Sequence, residues 1–193
     1  SYVLSEATSY PNDFSSPKQK VGFIYKNKTV APVSTKVLLK TIHPFYNGGD
    51  VSALANYPDA DKSRFFASGR LPFMMTANVT IDGNQKQINI INLHARANTS
   101  GDAQSKYDMR KFDVEVLKDT LSAQYPDANL VLLGDYNDDV DYTVSDVTTT
   151  VSTYEAYVND SAHFNVLTKT LSDAGFRSYV TYENMIDHIT VSN

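Results

Sequence analysis

Three apolar runs in this chain each meet polar side chains that could do chemistry. Ile90-Ile91-Asn92-Leu93 ends at His94. Leu130-Val131-Leu132-Leu133-Gly134 ends at Asp135, with Asn137 two residues on. Met185-Ile186-Asp187-His188-Ile189 sets an Asp inside an apolar stretch. A buried carboxylate without a partner is costly, so Asp187 needs a reason to be there. Histidine changes charge near neutral pH and serves as donor, base or ligand. Asp and Asn offer the hard oxygens that Mg²⁺ and Ca²⁺ take. Polar groups at the ends of core strands are where α/β folds build sites. Plainer readings stand beside these: a hydrogen-bonded structural histidine at a strand end, and an Asx turn at Asp135 and Asn137. The middle motif also alternates as a calcium loop does, through Asp135, Asn137, Asp139 and Asp141 to Asp146. Val140 stands where that loop needs Gly, Asp146 where it needs Glu, and the segment before it reads as a strand.

The elements that must position these groups follow from periodicity. Residues 21–25, 30–33 and 36–42 read as strands, rich in Val and Leu, after an N-terminal loop. Residues 43–70 form a long loop with Pro, Gly, Asn and Asp clusters, of the kind that usually carries function. Residues 73–81 and 87–93 read as strands joined by a turn at Asp82-Gly83. Residues 105–125 are the clearest helix: Met109, Phe112, Val116, Leu117, Thr120 and Leu121 recur at spacings of three and four. Residues 129–133 read as a buried strand. Residues 164–174 read as a second helix, with Leu167 and Leu171 inside and Gly175 as its C-terminal cap. Residues 177–180 and 185–191 read as a closing strand pair. This order predicts an α/β or α+β layered sandwich.

Composition narrows the class. The 193 residues suit one domain. With 17 Lys and Arg against 22 Asp and Glu the net charge is −5, which argues against broad polyanion binding and leaves room for a local basic site. No apolar run approaches the length of a membrane span. The absence of cysteine removes disulfides, thiolate catalysis and Cys-based zinc sites. The Ser, Thr, Asn and Tyr richness suits a secreted or periplasmic bacterial protein, with any signal peptide lying outside these residues.

In order and spacing, Asn92-Leu93-His94, Gly134-Asp135-Tyr136-Asn137-Asp138 and Ile186-Asp187-His188-Ile189-Thr190-Val191-Ser192 resemble the endonuclease/exonuclease/phosphatase superfamily of deoxyribonuclease-I-like metal-dependent phosphodiesterases. Gly69-Arg70-Leu71-Pro72 and Val21-Gly22-Phe23-Ile24-Tyr25 match its arginine-bearing turn and early strand. The resemblance covers nearly the whole chain. It implies a four-layer αββα sandwich and Mg²⁺-dependent phosphodiester hydrolysis, with Ca²⁺ or Mn²⁺ as alternative ions. It implies that Asp135 acts on the attacking water beside the metal, that Asn137 holds metal and phosphate, and that His94 donates to a phosphate oxygen. Arg70 would contact phosphate with its planar fork. Asp187 would orient a histidine arriving later in the chain, and His188, pointing to the other face, would be structural. Arg96, Tyr107 and Arg110 read as solvated loop and helix polarity.

The resemblance also has gaps. The family's metal-binding Glu, in a Gln-Glu strand, and its Ser-Asp-His segment find no counterpart, and Glu6 does not match the former. Residues 1–193 therefore read as the central part of one such domain, weakly active by itself and prone to associate through exposed sheet edges. The expected substrate is nucleic acid cut by an extracellular endonuclease-like activity. The alternatives are a sugar-phosphate or phospholipid phosphodiesterase, or a non-catalytic binding module on the same scaffold.

Overall fold

The computed structural model describes residues 1–15, 18–99 and 101–193. Among these residues there are eight strands: β1 (Tyr2–Leu4), β2 (Gly22–Ile24), β3 (Val30–Val37), β4 (Phe73–Ile81), β5 (Asn84–His94), β6 (Leu130–Asp135), β7 (Phe164–Val166) and β8 (Asp187–Ser192). Among the described residues three right-handed α-helices accompany them, α1 (Ala103–Gln124), α2 (Glu155–Val158) and α3 (Lys169–Asp173). There are also 3₁₀ turns at Ser52–Leu54 and Lys62–Arg64, and a helix-like turn at Phe65–Gly69 whose Phe66, Ala67 and Ser68 depart from helical φ/ψ. Six strands make one mixed sheet in the order β3-β4-β5-β6-β8-β7, and β1 and β2 make a separate antiparallel ribbon. The β4–β5 hairpin turns at Asp82 and Gly83, both at positive φ as a two-residue type I′ turn demands. β5 and β6 run parallel, which requires a crossover, and α1 provides it.

Alternation sorts the sheet's two faces. Ile91, Leu93, Leu130 and Leu132 join Met109, Val114, Leu117 and Leu121 of α1 in the main core. The other face carries Asn92, Leu133 and Ile189, which are half-buried or exposed. The ribbon lies on this second face: Phe23 packs against Phe73 with ring centroids 5.6 Å apart, and Asn92 Nδ2 donates to the Gly22 carbonyl at 2.7 Å. The second sheet of the expected sandwich is represented by this ribbon.

Four expected elements differ. The strand expected at 36–42 ends at Val37, and Leu39 turns the chain at positive φ. The helix expected over 164–174 is a three-residue edge strand followed by the short α3. Leu167 and Leu171 are exposed, not inside. Gly175 does cap α3: its N–H and that of Phe176 close back on the Ser172 and Leu171 carbonyls. Residues 177–180 form no strand, whereas the first residues, read as loop, contribute β1.

The long loop buries a histidine. His43 is fully buried among Phe45, Tyr46 and Phe65. Its Nδ1 accepts from the Phe45 amide and its Nε2 donates to the Phe65 carbonyl, both at 3.1 Å. Protonation would set an Nδ1–H against the Phe45 N–H. Burial lowers the pKa of His43 to about 4. The folded protein therefore refuses a proton that the unfolded chain accepts near pH 6.5, and stability is lost as pH falls from about 6.5 to 4. His43 alone contributes about 3 kcal/mol to this loss, or roughly 6–12 °C in Tm. Thermal scans at pH 7 and pH 4.5 should show it, and a His43→Leu variant should lose less on acidification. Equal losses in both proteins would place the acid sensitivity elsewhere.

Candidate active site

The carboxyl ends of β5 and β6 and the start of β8 converge at one edge of the sheet. His94 pairs in register with Asp135, and Asp135 with Asp187. The three side chains thus form one row across adjacent strands, on the half-open face. Gly134 makes this approach possible: a Cβ there would lie 2.0 Å from the Leu93 carbonyl oxygen, and its φ is +133°. Just past β6, Asn137 adopts a left-handed conformation. Its amide N–H bonds Asp135 Oδ1 at 2.9 Å. Its Nδ2 donates to the Ala95 carbonyl at 3.0 Å, leaving Oδ1 without a hydrogen-bond partner among the described residues.

Of the row, Asp135 lines a cleft of about 490 Å³, together with Asn98, Asn137, Tyr179, Tyr182 and Asn184, among others; His94 and Asp187 flank Asp135 in register but are not part of this lining. A second cavity of similar volume lies against the ribbon, between Tyr2, Leu4, Phe23 and Ile24. Among the described residues its lining has no carboxylate, imidazole or cationic side chain, whereas the first carries Asp135.

Electrostatics distinguishes the members of the row. His94 Nε2 lies 3.4 Å from Asp135 Oδ2, too long for a strong hydrogen bond. Burial lowers the pKa of His94 to about 4, helped by the nearby Arg70 charge and opposed by Asp187. The imidazole is therefore neutral at pH 7, a donor through one nitrogen. Asp135 is pushed above the usual carboxylate range by burial, with Asp187 adding repulsion and the Asn137 amide opposing.

The structure corrects two expectations for these residues. Asp187 is exposed, and its neighbour His188 is the buried one, because successive strand residues face opposite sides. His188 bonds the Met185 carbonyl at 2.8 Å and Thr168 Oγ1 at 2.9 Å, a structural setting. Arg70 is buried and does not present a free fork to the cleft. Its Nε and Nη2 donate to the His94 and Ala95 carbonyls, each at 3.1 Å, and its Nη1 bonds Gln19. It pins the strand ends from behind.

The calcium-loop alternative fails on geometry. Asp139 turns away from the cleft to accept from the Met185 amide at 3.0 Å and from Ser172. Asp138, fully buried, accepts from Thr143, Val144 and Thr153. Among the described residues, no three His, Asp or Glu side chains converge to hold a metal ion.

Sequence reasoning missed Asn98 and misread Arg110. Asn98 Nδ2 donates to the Asn137 carbonyl at 2.8 Å, and its Oδ1 accepts from Arg110 and Ser145 at 2.8 Å each. Arg110, expected on the surface, is fully buried and pairs with Asp138 at 3.2 Å. The available signal was its spacing: Tyr107, Arg110, Val114, Leu117 and Leu121 form the buried stripe of α1. Arg96, read as a solvated loop cation, is also buried.

No protein-family model matches the chain, and no curated protein matches it. Solved structures do. The catalytic domain of human Nocturnin, determined with a bound sulfate anion, aligns with a TM-score of 0.53 at 14% identity over 100% of this chain and 60% of that one. A mannosyl-6-phosphatase from Bacteroides thetaiotaomicron aligns with a TM-score of 0.51 at 14% identity, over 99% of this chain and 62% of that one. An endonuclease/exonuclease/phosphatase protein from Bacteroides vulgatus gives 0.54 at 12% identity, over 99% and 64%. The chain spans less than two thirds of each. With the six-stranded mixed sheet and its helices, these alignments show that the chain has the deoxyribonuclease-I-like fold of endonuclease/exonuclease/phosphatase proteins.

Proposed function

We propose that the chain hydrolyses a phosphoester at the cleft where β5, β6 and β8 meet. The observation that carries this is the register-matched row of His94, Asp135 and Asp187, with Asn137 beside it. Such a reaction needs a water aimed at phosphorus, stabilisation of charge on the transferring phosphoryl group, and a proton for the leaving oxygen. Asp135, its pKa raised by burial, orients the water and takes its proton, which it later releases to solvent. A solvent water in the open cleft protonates the leaving oxygen. The neutral His94 donates a hydrogen bond to a non-bridging oxygen. Asp187 repels Asp135 and keeps its basicity up. Arg70 and Asn137 fix the ends of β5 and β6, so these groups stay aligned.

The donor chemistry suits Mg²⁺, which binds through one or two carboxylates plus substrate phosphate rather than an all-protein cage. Asp135 and the free Oδ1 of Asn137 would hold it, with Asp187 near enough to add charge. When bound, the ion neutralises charge on the phosphoryl group and lowers the pKa of water.

The sequence resemblance favours a nucleic-acid phosphodiester. Among the described residues the cleft lining contains no Lys or Arg, and extended polyanions bind through many cation contacts. A substrate presenting one or two phosphates, such as a sugar phosphate or a short oligonucleotide, fits this cleft better than long DNA. The mannosyl-6-phosphatase among the fold neighbours acts within that class by name. The deciding assay incubates the chain with a hexose phosphate and with a short single-stranded DNA, in millimolar Mg²⁺ with and without chelator. Hydrolysis abolished by chelation supports the proposal. Tight binding of either compound with no turnover in any divalent cation would replace it with the binding-module reading.

A further inference from the structure

Two aromatic rings stand in the cleft and not in the core. Tyr179 and Tyr182 line the same cavity as Asp135 and Asn137. Neither joins the main hydrophobic cluster, and they are 43% and 60% exposed. Their rings stack on each other, with centroids 5.3 Å apart and planes inclined by 13°. This is the offset arrangement that aromatic pairs prefer. It leaves apolar ring area facing water, most of it on Tyr182. Exposed apolar area grouped in a cleft marks a binding surface more often than a structural one.

The loop that carries the rings is tied to the reacting row. The Ser178 and Tyr179 amides donate to the Asn184 carbonyl at 3.1 and 3.2 Å. The Ser178 hydroxyl oxygen accepts from the Ile186 and Asp187 amides at 3.0 Å each. Asp187 begins β8 and pairs in register with Asp135. The rings are therefore placed by the same strand start that places Asp187. Asn184 also lines the cavity, and its side-chain amide hydrogen-bonds no other described residue. It keeps a donor and an acceptor for a ligand. The Asn98 amide, by contrast, is spent on the Asn137 carbonyl, Arg110 and Ser145.

A flat ring laid on the pair extends the stack. Every nucleobase has such a face, and stacking on aromatic side chains is tolerant of which base it is. A hexose ring is puckered and edged with hydroxyls, which would lose water on an apolar face without gaining partners. We infer that the Tyr179–Tyr182 pair is a stacking platform for a nucleobase, so that the cleft takes nucleotide phosphoesters in preference to sugar phosphates. The identity of the reacting group rests on the phosphoester reading of the cleft, whereas the binding readout below does not require turnover.

The probes are the 5′-phosphonates of adenosine and of ribose, which differ in the base. Carbon replaces their ester oxygen, so Mg²⁺ can be present without turnover. The full chain should bind the adenosine compound about 5–150-fold more tightly than the ribose compound. Tyr182→Ala and Tyr179→Ala should each cut that ratio by about threefold or more. Tyr182→Phe should keep it, because the ring stacks without its hydroxyl. The Tm of all three variants should stay within about 2 °C of the parent, as at other exposed positions. Equal affinities for the two compounds in the parent would overturn the proposal. So would tighter binding of glucose 6-phosphonate than of the adenosine compound, or alanine variants that lose Tm and keep the ratio. A ratio that depends on Tyr182, in a protein that hydrolyses no phosphoester in any divalent cation, would refute the phosphoester reading and leave the platform standing. Equal affinities in a protein that does hydrolyse phosphoesters would do the reverse.

Discussion

Replacing His94 with glutamine is expected to lower turnover about 10²–10³-fold, the usual cost of removing one preorganised donor from developing negative charge. The fall should appear in kcat, with KM little changed, because the contact strengthens only as charge builds on the phosphoryl oxygens. Stability should barely move. The closest polar contact of the His94 side chain is the 3.4 Å approach to Asp135, and the side chain is 33% exposed. Substitutions of that kind stay within roughly 0.5 kcal/mol, so Tm should shift by no more than about 2 °C. The low pKa of His94 adds a second check. The imidazole is neutral throughout pH 6–8, so the pH–rate profile of the parent should show no limb from His94 in that range. A variant that keeps its turnover, or loses turnover only in step with its Tm, would remove His94 from the chemistry.

The parts of this architecture legible in the sequence are those dictated by local pattern. β4 matches the expected residues 73–81, and its turn follows from Asp82-Gly83. The strands ending at His94 and near Asp135 follow from apolar runs. The register that aligns His94, Asp135 and Asp187 does not, because it depends on three strands distant in sequence. Alternation did place His188 and Asp187 on opposite faces. Which face is open depends on the ribbon and α1, and so the expectation of a buried Asp187 failed. Residues 164–166 look helical next to Leu167 and Leu171, yet they pair with β8 as an edge strand. Tertiary pairing overrides a weak local period there. Arg110 and Asp113 were hidden for a related reason. Charged residues on a helix normally mark its solvated face, and only their spacing with Tyr107, Val114 and Leu117 shows that they lie on the buried stripe. The left-handed run at 66–68 has no signature, since Phe, Ala and Ser rarely adopt it.

Asp138→Ala is expected to destabilise the protein by about 3–5 kcal/mol, the usual result of leaving one member of a buried ion pair alone. The pair is fully enclosed, with both side chains at 0% exposure. The guanidinium of Arg110 spends its donors on Thr153, Arg96, Asn98, Ser145 and Asp138. Asp138 in turn accepts from the Val144 amide at 2.8 Å and the Thr153 amide at 2.9 Å, and from the hydroxyls of Thr143 and Thr153. Alanine leaves a buried cation uncompensated and two buried amides without acceptors. The Tm should fall by roughly 6–20 °C. Adding Arg110→Met should recover part of the loss, because it removes the uncompensated charge. It should not recover all of it, since the Val144 and Thr153 amides remain unpaired. Additive losses in the double variant would show that the two side chains do not interact. The damage should also reach the cleft. Arg110 holds Asn98, and Asn98 holds the Asn137 carbonyl, so loosening the pair frees the loop that sets Asn137 beside Asp135. The Asp138 variant, assayed below its lowered Tm, should therefore lose turnover as well as stability. The motif's two acidic positions thus point opposite ways: Asp135 lines the cleft, and Asp138, three residues on, faces inward and holds the loop in place.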